Sequence, residues 1–254
     1  MAAFNPIPDE TINAALKPTA KALGDASGSL FIAGFHLIFD PLRKYNIRKE
    51  QELNDYANKI QNHITNIPEE YRDASKVNLI LKAVDDSKFR LDDNEMQEAF
   101  ARLIANALDG RTNKDFYPSY SNILSNMSAA EALILKRIYS NTASSVPTST
   151  PISSNTEGLE TTNLSPRTYL FDNKNDSSNQ TNIAIDLLIN SGLVVVREDA
   201  WLSSAYFTKK YDAFEKLVKA SPLASSIAPQ RKIGFKKGIV SLTNFGGSFT
   251  KFIV

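Results

Sequence analysis

IAIDLLINSGLVVVRE, residues 183–198, changes its period halfway along, and that change decides how the segments around it are read. The spacing predicts a helix from Asn182 to Asn190 and a turn at Ser191 and Gly192, where glycine can take the left-handed conformation that stops a helix. A β-branched strand from Leu193 to Val196 should follow. Downstream, GIVSLTNFGGSFTKFIV (238–254) reads as a strand over Ile239–Leu242, Thr243 as an N-cap, and a closing helix weakened by Gly246 and Gly247. Upstream, Ser128 and Glu131 have capping-box spacing and open a helix to about residue 140 carrying Ala132, Leu135 and Ile138. A helix, a helix–turn–strand, a returning strand and a closing helix form the order of a winged-helix-like module over 128–254. Within it, residues 140–182 are rich in Ser, Thr, Asn and Pro, and read as a long connection with one short strand at Thr168–Phe171. Residues 199–237 read as a basic insertion.

Towards the N-terminus the periodicity is helical. Leu53, Tyr56, Ala57, Ile60 and Ile64 recur on one face of a helix that ends before Pro68, and Val77, Ile80, Leu81 and Val84 mark a shorter one. Asp92 or Asp93 can cap a third, whose apolar face is Met96, Ala99, Phe100, Leu103, Ile104 and Ala107, with Gly110 offering a stop. The expected fold is therefore mainly α: a helical domain over 1–127, followed by the winged-helix-like α+β domain over 128–254.

Composition narrows the function classes. Lys and Arg number 29 against 28 Asp and Glu, so no global field draws the chain to nucleic acid or anionic lipid, and any such partner must meet a local patch. Without cysteine there is no disulfide framework, thiolate catalysis or cysteine zinc site, in keeping with a cytoplasmic setting. MAAFNPIPDE lacks the pattern of a secretory leader, and no apolar run approaches the roughly 20 residues that span a bilayer. The chain is expected to be soluble.

Leu30 to Phe39 is the most apolar decamer, with Phe31, Phe35, Ile38 and Phe39 on one helical face. It reads first as a buried helix; the alternative is a membrane or partner face, with Arg43, Lys44, Arg48 and Lys49 next to it suited to anionic headgroups. His36 and His63 have no third ligand at fixed spacing, and neither a G-x-S-x-G elbow nor a glycine-rich phosphate loop is present. Asp85, Asp86, Asp92, Asp93 and Glu95 read as helix-end carboxylates rather than a cation site. No catalytic residue, metal or cofactor is expected. Lys209, Lys210, Arg231, Lys232, Lys236 and Lys237 in the insertion are candidate phosphate contacts. The helix that would read DNA, NIAIDLLINS, has no cation and carries Asp186, which puts protein contact or self-association ahead of nucleic acid.

Several segments together are similar to the bacterial abortive-infection alpha family, a domain of unknown function. They are the IPEE start at Ile67–Glu70, the helix with Phe100, Leu103, Ile104 and Asp109, Pro118 before a short helix, and the MSxxEAxIL run from Met127 to Leu135. Ile185, Asp186, Leu188, Gly192 and Leu193, then LTNFGGSF near the end, continue the likeness, and FDPLRKY at 39–45 matches a segment upstream. The resemblance implies antiviral defence against phage, often by halting growth of the infected cell. It implies no known reaction. Protein interaction or sensing is the expected mode, with a membrane-perturbing effector using 30–39 or a winged-helix DNA-binding regulator as alternatives.

Overall fold

The computed structural model describes residues 47–254 apart from Phe89, Thr156 and Leu159, with side chains from Glu52 onwards. The decamer with Phe31, Phe35, Ile38 and Phe39 lies outside the described residues. The chain divides into two compact units, one running to Met127 and taking in Phe252–Val254, the other Ser128–Lys251.

In the first unit, helix α1 (Ile47–Thr65) buries Leu53, Tyr56, Ile60 and Ile64, the stripe its period marks. Helix α2 (Val77–Ser87) contributes Ile80, Leu81 and Val84. Helix α3 (Asn94–Leu108) is buried along most of its length, and Asp93 caps it by accepting from the Glu95 and Met96 N–H groups at 2.9 and 3.1 Å. It stops at Leu108 without using Gly110 as a left-handed stop. The Gly110 N–H donates instead to the Tyr71 carbonyl at 2.7 Å, and a Cβ there would stand 3.2 Å from that oxygen. Helix α4 (Ser119–Asn126) adds Tyr120 and Leu124. The last residues of the chain close this core: the Phe252 ring lies 5.7 Å from Phe116 and 5.3 Å from Tyr120, and its carbonyl accepts from Asn106.

The second unit begins with helix α5 (Ala129–Ser140). Ser128 and Glu131 form the capping box at its start. The Ser/Thr-rich segment after it is not a connection, which corrects the mainly-α expectation. It forms strand β1 (Ser145–Ser154), whose side chains are mostly buried, then β2 (Thr161–Asn163), β3 (Thr168–Leu170) and β4 (Asn175–Asp176). Helix α6 (Asn179–Asn190) and strand β5 (Val194–Arg197) are the helix–turn–strand, joined through left-handed Gly192. The insertion holds helices α7 (Ala205–Lys219) and α8 (Pro222–Ser225) and the first half of strand β6 (Lys232–Leu242). Helix α9 (Asn244–Ile253) ends the chain. The six strands form one antiparallel sheet in the order β4-β3-β1-β6-β5, with β2 also on β1. The described chain is thus mixed α+β.

Two prolines in β1 are what hide it from sequence, since proline cannot donate to a ladder and is unexpected in a central strand. Pro147 and Pro151 stand on either side of the two β1–β3 pairs, Thr148↔Tyr169 and Ser149↔Thr168. Pro151 presents its carbonyl there to the Leu164 N–H, and the alternation of an antiparallel ladder puts the missing Pro147 N–H on the same side. The β6 side of the strand therefore keeps its ladder whole.

Candidate functional site

The site grows out of a mismatch in strand length. β6 pairs with β1 from Lys232 to Ser241, but with β5 only over Ile239–Leu242, and that pairing ends at Arg197↔Ile239. Thr243 donates its N–H to the Leu193 carbonyl, which sets the phase of the ladder. By the alternation of antiparallel pairs, the main-chain groups of Phe235 and Lys237 face the β5 side, where no strand continues. Gly238 lets the chain leave. A Cβ there would lie 2.7 Å from the Arg197 carbonyl and 2.8 Å from the Thr148 hydroxyl.

Beyond Arg197 the chain opens an exposed pocket of ≈ 380 Å³ lined by Glu198, Asp199, Trp201, Phe235, Lys236 and Lys237. Trp201, the sole tryptophan, is 60% exposed. Phe235 packs edge-on against Phe214, ring centroids 6.3 Å apart, beside the small core that Phe207, Tyr211, Phe214 and Val218 of α7 make with Leu170. The Tyr211 hydroxyl anchors α7 to the sheet by donating to the Gly238 carbonyl at 2.8 Å. Sequence reasoning does not single out Trp201; the signal available is a lone tryptophan in the polar run REDAWLSS.

Most of the expected phosphate contacts are engaged within the fold. Lys236 pairs with Glu198, which also takes an Arg167 guanidinium bond at 2.5 Å; Lys236 and then Arg167 hold that carboxyl below the usual range. Lys237 pairs with Glu215 at 3.0 Å and lies over the Tyr211 ring. Lys210 pairs with Asp172 and donates to the Leu170 carbonyl. Arg231 donates to the Ser153 hydroxyl at 2.7 Å and to the Ser153 and Glu160 carbonyls. Lys209 and Lys232 are exposed and, among the described residues, have no side-chain partner. The structure does not gather the six into one cationic cluster.

The outward face of α6 carries Ile183, Asp186, Leu187, Ile189 and Asn190, all exposed, and no cation. At the start of α6, the DNKNDSSNQTN run is a capping device: Asp176 accepts from the Ser178 N–H at 3.0 Å, the Thr181 hydroxyl at 2.8 Å and Arg137 at 3.1 Å. Burial pushes the Asp176 carboxyl up, but these donors outweigh it and bring it down to about 2. His63 hydrogen-bonds Glu98 at 2.9 Å, Asp85 and Asp86 pair with Lys88 and Lys82, and Asp93 caps α3. Among the described residues no three metal-ligating side chains cluster, and no helix is long and apolar enough to cross a membrane.

Comparison with curated proteins and with solved structures gives no match. The sequence profile of one family, abortive infection alpha, matches residues 48–253. That span takes in the helices described for the first unit, the capping box of α5, the α6–β5 turn and the open half of β6, and on it the chain belongs to the abortive infection alpha family.

Proposed function

We propose that this chain defends a bacterial cell against phage and does so by contacting other proteins. Family membership supports the defence role. The observation that favours protein contact over nucleic acid is the outward face of α6. In a winged-helix-like reading of α5, α6, β5 and β6 this is the helix that would enter a groove, yet it offers Ile183, Leu187 and Asp186 and no cation. The pairing of Lys210, Lys236 and Lys237 with carboxylates points the same way, because a cation already neutralised releases little counterion on meeting phosphate. Catalysis is not part of this reading.

The test is a phage panel plated on cells that express the chain, with growth and membrane potential followed after infection. Fewer plaques with the potential intact is the expected outcome. Loss of potential coinciding with protection would instead support a membrane-perturbing effector using residues 30–39. The protein should also show no affinity for a duplex that falls steeply with salt.

A further inference from the structure

We infer that the open half of β6 receives an extended, acidic segment of a partner protein, which adds to the sheet as a strand and places an apolar side chain between Trp201 and Phe235. This deepens the protein-contact reading and rests on it. Strand addition needs an unpaired edge for main-chain bonds and a neighbouring pocket for side-chain choice. Both occur together here. β6 runs from Lys232 to Leu242 and β5 covers only its last four residues, so main-chain donors and acceptors at Phe235 and Lys237 face the uncovered side. The pocket opens at the same residues and is walled by an exposed indole.

Charge selects the occupant. RKIGFKK, residues 231–237, holds four cations and no acid. Arg231 turns away to Ser153 and Glu160 on the β1 side. Of the acids beside the open edge, Glu198 is shared by Lys236 and Arg167, Glu215 by Lys237 and Lys219, and Asp199 meets Arg197, while Lys232 has no side-chain partner among the described residues. An excess of positive charge therefore runs along the open edge. A second copy of the chain is a poor occupant, because two such edges laid side by side bring like charges together, the device by which edge strands resist self-pairing. An extended segment that alternates acidic and apolar residues satisfies all three features: edge, pocket and charge.

The full chain should be panned against a displayed library of unstructured 12-residue peptides, with a 20-base-pair duplex as a parallel probe. Enriched peptides are expected to alternate acidic and apolar residues. They should slow amide exchange at Phe235 and Lys237, and bind about tenfold more weakly to Trp201→Ala and to Lys232→Glu, each a change at an exposed side chain. No enrichment, enrichment of basic or proline-rich peptides, protection elsewhere in the chain, or duplex binding lost in Lys232→Glu would each overturn the assignment. Dimerisation that protects the same amides would overturn it too. A failed panning with phage resistance intact removes the edge assignment alone; absent resistance removes the defence reading whatever the peptides do.

Discussion

Single residues carry much of the order in the second unit, and Asp176 is the clearest. Its carboxylate ties the start of α6 to Arg137 on α5, and its proton affinity falls from the ordinary value near 3.8 to about 2. A folded value below the unfolded one stabilises the fold above the unfolded value, and that contribution is lost as the pH drops through about 2. Asp176→Asn should therefore cost about 1 kcal/mol at neutral pH, after allowance for solvent screening, and almost nothing near pH 2. Urea unfolding at the two pH values reads the difference. Ala143 has φ +59° and Ser144 +47° in the turn that feeds β1, a region costly to side chains with a Cβ. Ala143→Gly should raise stability by about 0.5–1 kcal/mol, offset in part by the added freedom of the unfolded chain, which thermal unfolding would show.

At the scale of elements, the closing helix is legible in sequence down to its cap, while the reason for its glycines is not. Thr243 accepts the Gly246 N–H at 2.8 Å, as an N-cap should. Gly246 reads in sequence as a weakness. In the fold it is the point where α9 passes against the chain: a Cβ there would fall 1.8 Å from the Leu193 carbonyl, whereas one at Gly247 meets nothing within 4 Å. Gly246→Ala should cost about 3 kcal/mol or prevent folding, and Gly247→Ala should stabilise α9 by about 0.5–1 kcal/mol. Denaturant midpoints of the two variants should move in opposite directions. Apolar stripes and caps are local signals, which is why α1, α3, α5 and Gly192 can be read from the chain alone. β1 cannot. Its Ser, Thr and Pro carry turn propensity, and only distant pairing partners, from Lys232 opposite Ser154 to Ser241 opposite Ser145, make them a strand. The pairings within the insertion are hidden for the same reason, since a lysine's partner in space, such as Glu198 for Lys236, is invisible in composition.

For the whole molecule, the family match supports a defence role, and the surface chemistry is what the proposed protein contact rests on. The edge of β6, the exposed Trp201 and the cation-free outward face of α6 all present groups that proteins recognise. The most direct measurement is phage plating on cells producing the native chain or the Trp201→Ala/Lys232→Glu double variant, with melting temperatures compared on the purified proteins. The account predicts that the native chain suppresses plaques, and that the double variant melts at the same temperature yet loses most of the protection. Equal protection by both proteins would contradict it.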